Sequence, residues 1–250
     1  MLRNISTHAI VIRRERFGEF HKSLWLLTSD MGLINATAYG AFKMHSRLRL
    51  GSEPFTWSRV QLYHNPVKKS YKVTDLDIHA SFEGLQRDFL KLAAASLWAE
   101  VVQKSFGAGE VSGQLFRLFL QSLKLLDASD VKREPYVTTQ FLWRFLSLAG
   151  YQPNIGSCDR CGASLSDRSR AFYSPQSNAL LCAACGAEPG LPIPPGALRY
   201  LEATQAVPLA QAVEVSLEAG ALRALRDALP RMVQFVLEGP LASLRWVGAC

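Results

Sequence analysis

Residues 22–39, "KSLWLLTSDMGLINATAY", hold two short apolar runs, "KSLWLLT" (22–28) and "GLINATAY" (32–39), parted by the turn residues "SDMG". Runs of this length between turn signals read as strands. Working outward, "AIVI" (9–12) is a third short strand, and "RERFGEF" after it reads as a turn. "FTWSRVQLY" (55–63) and "SYKVTDLDI" (70–78) follow, behind the turn residues "GSEP" and "HNP". In "FTWSRVQLY" the alternation places Phe55, Trp57, Val60 and Leu62 inward across a bulge. Five short strands at this spacing predict a small closed barrel. An OB-fold fits best, and an SH3-like barrel fits the strand count almost as well.

At residue 82 the apolar period lengthens from two to about 3.6. Phe82, Leu85, Phe89, Leu92, Ala93, Leu97, Val101 and Val102 form one helical stripe. "GQLFRLFLQSLKLLDA" is apolar on most faces, which suits the centre of a helical bundle. "EPYVTTQFLWRFLSLAG" starts at Pro135 and stops at Gly150, as a helix with a proline start and a glycine stop should. "EPGLPIPPG" reads as a loop, "ALRYLEAT" as a helix, and the last helices are divided at Pro230 and again at Gly239–Pro240. The expected class is α+β and multidomain. An OB-fold spans 1–80, an α-helical domain spans 81–154 and 189–250, and a four-cysteine insert occupies 155–188.

Four of the five cysteines make that insert: Cys158, Cys161, Cys182 and Cys185 stand as C-x2-C-x20-C-x2-C. Each CxxC can turn two sulfurs toward one point, so two of them complete a tetrahedral thiolate shell for one Zn2+. Gly162 and Gly186 follow the pairs and ease the tight backbone such knuckles need. All five histidines lie in the first 80 residues, so the array is closed by sulfur, with no open position for water. That is a structural metal site. "SDRSRAFYSPQSNALLC" between the pairs reads as a hairpin, and Cys250 as an incidental thiol.

The net charge of +7 is unevenly spread: residues 1–80 hold twelve Lys/Arg against six Asp/Glu, and the rest hold sixteen against fifteen. A basic first module fits a polyanion partner or a solubilising surface. The cations concentrate in two connections. Lys43, Arg47 and Arg49 lie in one, beside Tyr39 and Phe42; Lys68, Lys69 and Lys72 lie in the other, with Tyr71. On an OB-fold, such loops grip phosphates while aromatic rings stack on bases, at about 1–3 kcal/mol each. Tyr39, Phe42 and Tyr71 could equally pack the barrel.

No GxxxxGK[ST], HExxH or GxSxG motif occurs. "GAGEVSG" (107–113) is a linker between helices. Asp75 and Asp77 share a strand face without a third acid, so they read as exposed strand charges rather than a magnesium site. There is no leader-like start and no apolar run of about 20 residues. The expectation is a cytoplasmic protein, not an enzyme. A zinc-ribbon nuclease and a non-catalytic interaction scaffold are the alternatives.

Read together, "AIVIRRERFGEFHKSLWLLTSDMGLINATAYGAFKMHSRLRLGSEPF", the cysteine pairs after "LAGYQPNIGSC", "RAFYSPQSNALLC" and the closing "LASLRWV" resemble, in order, the bacterial RecO family of recombination mediators. The resemblance spans the whole chain. It implies an N-terminal OB-fold, an α-helical C-terminal domain and a four-cysteine zinc site. It also implies DNA repair without a catalytic residue: binding single- and double-stranded DNA, annealing complementary strands, and helping RecA replace the single-stranded-DNA-binding protein, in association with the nucleoid. The implied partners are RecR and the acidic, hydrophobic tail of that binding protein. For the tail, Lys132 and Arg133 are candidates by charge.

Overall fold

The computed structural model describes residues 3–105, 112–165, 170–186 and 190–247; Cys250 and most of "GAGEVSG" lie outside them. The chain divides into two compact units, Met1–Ala128 and Ser129–Cys250.

In the first unit β1 (Asn4–Phe17), β2 (His21–Thr28), β3 (Gly32–Ala38), β4 (Trp57–Asn65) and β5 (Ser70–Ala80) close a barrel. Its order is β1-β2-β3-β5-β4, and β4 returns to pair with β1. Only β3 and β5 run parallel, at Ala36–Tyr71 and Thr37–Lys72. The barrel is OB-like. Inward positions alternate as Leu24, Leu26, Ile34, Ala36, Ala38, Val60 and Leu62. The alanines let the strands of so small a barrel approach across its interior.

Two strands differ from their sequence reading. β1 shifts register at Ile12 and then runs on, so that Arg13–Phe17 pairs residue by residue with His21–Trp25. The turn is confined to Gly18–Phe20, where Gly18 takes φ +64°. This ribbon carries no apolar alternation, because it projects past the core. In β4, Ser58, Val60 and Leu62 face inward and Trp57 faces out. Phe55 is buried but precedes the strand with φ +64°, and that left-handed residue breaks the two-residue period.

Short α1 (Leu48–Gly51) lies in the β3–β4 connection and packs on β5. A Cβ on Gly51 would sit 3.0 Å from the Leu76 side chain, so any larger residue would have to push Leu76 aside by a few tenths of an ångström. The connection is tied down by Lys22, which is 1% exposed. Its Nζ donates to the Arg49 carbonyl at 3.1 Å, Ser52 Oγ at 2.7 Å and Glu53 Oε1 at 2.8 Å. Arg14 holds the other Glu53 oxygen at 2.7 Å. With all three ammonium donors matched, burial of this charge is tolerated. Removing one partner of a fully buried pair costs ~3–5 kcal/mol; Glu53 is 36% exposed, so Glu53→Ala should cost less, about 2–3 kcal/mol. Lys22→Met should cost less again, since Glu53 keeps Arg14. Chemical denaturation of the two variants checks that order.

Helices α2 (Glu83–Gln86), α3 (Phe89–Ser105) and α4 (Ser112–Ala128) complete the unit. The single stripe expected from residue 82 is broken, because α2 ends before α3 begins. The Asp88 carboxylate caps α3 by accepting from the Leu90 and Lys91 amides. The reset leaves Phe89 and Leu92 exposed while Leu97, Trp98, Val101 and Val102 are buried. α4 packs on α2, α3 and the barrel strands β2 and β3, rather than at the centre of a helical bundle.

The second unit opens with a 3-10 turn at Val131–Arg133, capped by Asp130. α5 (Glu134–Leu148) follows, with proline in its first turn. Then come β6 (Ala171–Ser174), β7 (Ala179–Cys182), α6 (Ala183–Gly186), β8 (Leu191–Ile193), α7 (Pro195–Gln205), α8 (Leu209–Ala212), α9 (Ala219–Val236) and α10 (Leu244–Val247). The β6–β7 hairpin is present; β8, expected as loop, pairs with the other edge of β6. α9 runs unbroken through Pro230. A mid-helix proline costs about 3 kcal/mol, but Leu225, Leu229, Met232 and Val233 bury on both sides of it, against α5, α7 and β8. That burial outweighs the lost bond. Among the described residues no helix is long and apolar enough to cross a membrane.

Candidate nucleic-acid interface and metal centre

Lys43, Arg47, Arg49, Lys68, Lys69 and Lys72 are all exposed, and among the described residues none is ion-paired with a carboxylate. The barrel's connections explain this. Gly40 at φ +70° turns the chain out of β3, and its amide donates to His21 Nδ1 at 2.9 Å. Lys43 is thereby presented on the loop, with Arg47 and Arg49 flanking buried Leu48 at α1. Lys68 and Lys69 occupy the β4–β5 turn, where Asn65 Oδ1 accepts from the Val67 and Lys68 amides. Parallel pairing of Thr37 with Lys72 carries the Lys72 ammonium to 5.3 Å from the Tyr39 ring.

The aromatic candidates separate. Tyr39 is 48% exposed and meets His21 edge-on at 4.9 Å. Tyr71 packs against the barrel core. Phe42 is 36% exposed, but Arg14 and Arg16 lie 5.9 Å from its ring centre and Lys22 5.0 Å. Arg14, Arg16, Phe17 and Phe20, on or near the β1–β2 turn, join these candidates although the sequence did not single them out. The two phenylalanines flanking Gly18–Glu19 were the signal for them, hidden by reading the stretch only as a turn.

Asp75 and Asp77 are exposed opposite Gln61 and Arg59. Of the histidines, His8 and His79 face one another at 3.3 Å, beside Trp57. In the second unit, Arg133 bonds Glu214 at 2.9 Å and the Val213 carbonyl at 3.2 Å, whereas Lys132 is exposed.

The four cysteine sulfurs lie within 4.8 Å of one another, and none is in a disulfide. Gly162 takes φ +73°, and its amide donates to the Cys158 carbonyl at 2.8 Å, closing the first knuckle. Gly186 serves otherwise: a Cβ there would meet Leu181 Cβ at 2.6 Å, so it is small for packing rather than for the turn. Arg160 ties the knuckles by donating to the Cys185 carbonyl at 2.9 Å. Burial works against charging Cys158, yet amides of Cys182, Cys161 and Arg160 directed at its sulfur bring the thiol down to about 6. Hydrogen bonds with the Cys161 and Cys182 sulfurs push Cys185 up to about 12. A tetrahedron of ~2.3 Å metal–sulfur bonds has an edge of ~3.8 Å; Cys161 and Cys182 stand 3.7 Å apart. The donor set fits one metal ion.

Comparison with known proteins fits this arrangement of barrel, helices and cysteines. The family model described as Recombination protein O N terminal matches residues 1–82, and that described as Recombination protein O C terminal matches residues 86–245. The chain belongs to the RecO family. Among RecO relatives, the DNA repair protein RecO of Desulfatibacillum aliphaticivorans is 28% identical over 97% of this chain and 96% of its own length. That of Dehalococcoides mccartyi is 28% identical over 98% of this chain and 95% of its own. The RecO N-terminal match stops at the end of the barrel, whereas the compact unit runs on to Ala128.

Proposed function

We propose that this protein is a recombinational DNA repair mediator that binds single- and double-stranded DNA, anneals complementary strands and helps load RecA onto DNA coated with single-stranded-DNA-binding protein. The observation that carries this is the set of six exposed cations without carboxylate partners, five on the barrel's connections and Lys72 within β5 rather than in the turn before it, in a chain of the RecO family. Two strands repel one another along their phosphates. A cationic surface lowers that repulsion without reading sequence, and contacts to the backbone leave bases free to pair. Lys43, Arg47, Arg49, Lys68, Lys69 and Lys72 provide the grip, and Tyr39 adds an exposed ring. No catalytic residue is needed.

The metal is Zn2+, held by Cys158, Cys161, Cys182 and Cys185. Four thiolates close its shell, so it braces the β6–β7 hairpin and leaves the chemistry of DNA alone. RecR and the tail of the single-stranded-DNA-binding protein are the partners, and the site of action is the nucleoid. Within the tail site, Lys132 is the better candidate, because Arg133 is engaged by Glu214.

Annealing of complementary oligonucleotides coated with the binding protein, with and without its acidic tail, tests the reading. Duplex should form faster with the protein, and faster still when the tail is intact. Magnesium and end-labelled DNA form the second arm: shortened products would establish a nuclease and overturn the mediator.

A further inference from the structure

Four aromatic rings are exposed at one end of the barrel, and their faces are not equally open. Phe42 is ringed by Arg14, Arg16 and Lys22, so its faces already carry cations. Phe17 and Phe20 are 50% and 42% exposed and flank the turn at Gly18. That turn is held in shape: Arg16 donates to the Gly18 carbonyl at 3.2 Å and the Glu19 carbonyl at 3.3 Å. It is also joined to the basic loop, since the Phe42 amide donates to the Phe20 carbonyl at 3.0 Å. Phe20 carries one cation over its ring, Lys43 at 5.7 Å, where Phe42 carries three. From Phe17 the aromatic row continues through His21 at 6.3 Å to Tyr39 at 4.9 Å, with Lys72 over Tyr39. A depression of about 420 Å3 lined by Tyr39, Lys43, Met44 and His45 opens beside the row.

We infer that Phe17 and Phe20 form a stacking site for unpaired bases of single-stranded nucleic acid, with Lys43 and Lys72 as its phosphate contacts, while Phe42 serves to hold Arg14 and Arg16 in place. This rests on the DNA-binding reading and adds to it the distinction between strand forms. Rings exposed on a fixed turn can take a base only when it is unstacked from its neighbours, which a duplex does not offer. Cations without carboxylate partners alongside match the charge of the strand rather than that of an apolar protein surface.

The test uses the full chain, a fluorescent oligo(dT), and a duplex of equal length. Phe17→Ala and Phe20→Ala should each weaken oligo(dT) binding about tenfold. Duplex binding should stay within about twofold, and the slope of log affinity against log salt should not change, because no charge is removed. Phe20→Trp should restore binding. Oligo(dT) binding by the double alanine variant equal to that of the wild type overturns the inference, and leaves the rings to a protein partner. Equal losses on duplex and single strand, or a shallower salt slope, overturn it too. A wild type that binds neither DNA removes the DNA-binding reading itself.

Discussion

Reversing Arg47 and Arg49 together to glutamate should lower affinity for single-stranded DNA by about 25-fold at 0.1 M salt, from counterion release alone, if the proposed grip is right. Each lost phosphate contact makes the salt slope about 0.7 shallower on a single strand, or about 1.4 for two. The two affinities should therefore converge as salt approaches about 1 M, and repulsion by the new carboxylates adds to the loss at low salt. Both side chains are exposed and unpaired with carboxylates among the described residues, so stability should change by no more than about 0.5 kcal/mol. Fluorescence anisotropy across a salt series reads both quantities. An unchanged slope would show that α1 does not face the strand.

Metal removal acts on the other unit and should have the larger energetic effect. Structural zinc contributes about 10–16 kcal/mol in isolated zinc-finger peptides, comparable with the ~5–15 kcal/mol stability of a whole domain. The small β7-β6-β8 sheet is three- to four-residue strands, too short to stand without support. Chelation, or Cys158→Ser, should therefore abolish amide protection across Ala171–Ser174 and Ala179–Cys182 in hydrogen exchange. The same treatment should leave barrel protection and DNA affinity within about twofold. Protection that survives chelation would remove the bracing role. A parallel fall in DNA affinity would make the metal part of the interface.

The pH response of this centre has a definite sign. Thiols must lose protons to bind a metal, so acid should compete with the proposed Zn2+ and its occupancy should fall as pH falls. Backbone amides aimed at the Cys158 sulfur favour its thiolate, which makes it a readier metal ligand than Cys185, whose thiol is pushed up. The stability the metal supplies is thus present at neutral pH and given up on the acid side.

Much of this was legible in one dimension. The five strands were, because each holds a short apolar run bounded by turn residues, and β3 and the first part of β4 also alternate toward the interior. The cysteine centre was legible because C-x2-C spacing is local geometry. The helix starting at Pro135 was legible for the same reason: its start signal lies within one turn of itself.

What escaped depends on neighbours far along the chain. Lys22 counts as one more cation in a basic stretch, yet it is buried against residues 27 to 31 positions away. The ribbon Arg13–Phe17 looks like a turn because its only support is the facing strand. Phe17 and Phe20 flank a Gly–Glu turn in the sequence, but their exposure is decided by where β1 outruns the barrel. Pro230 marks a helix end by its own chemistry, and only packing on both sides keeps α9 continuous. Alternation, spacing and local stop signals are properties of adjacent residues, so the sequence alone determined most strands, the helix after Pro135 and the four clustered cysteines. Which charges are buried and which rings remain open is set by contacts between distant segments, and that only the tertiary structure decided.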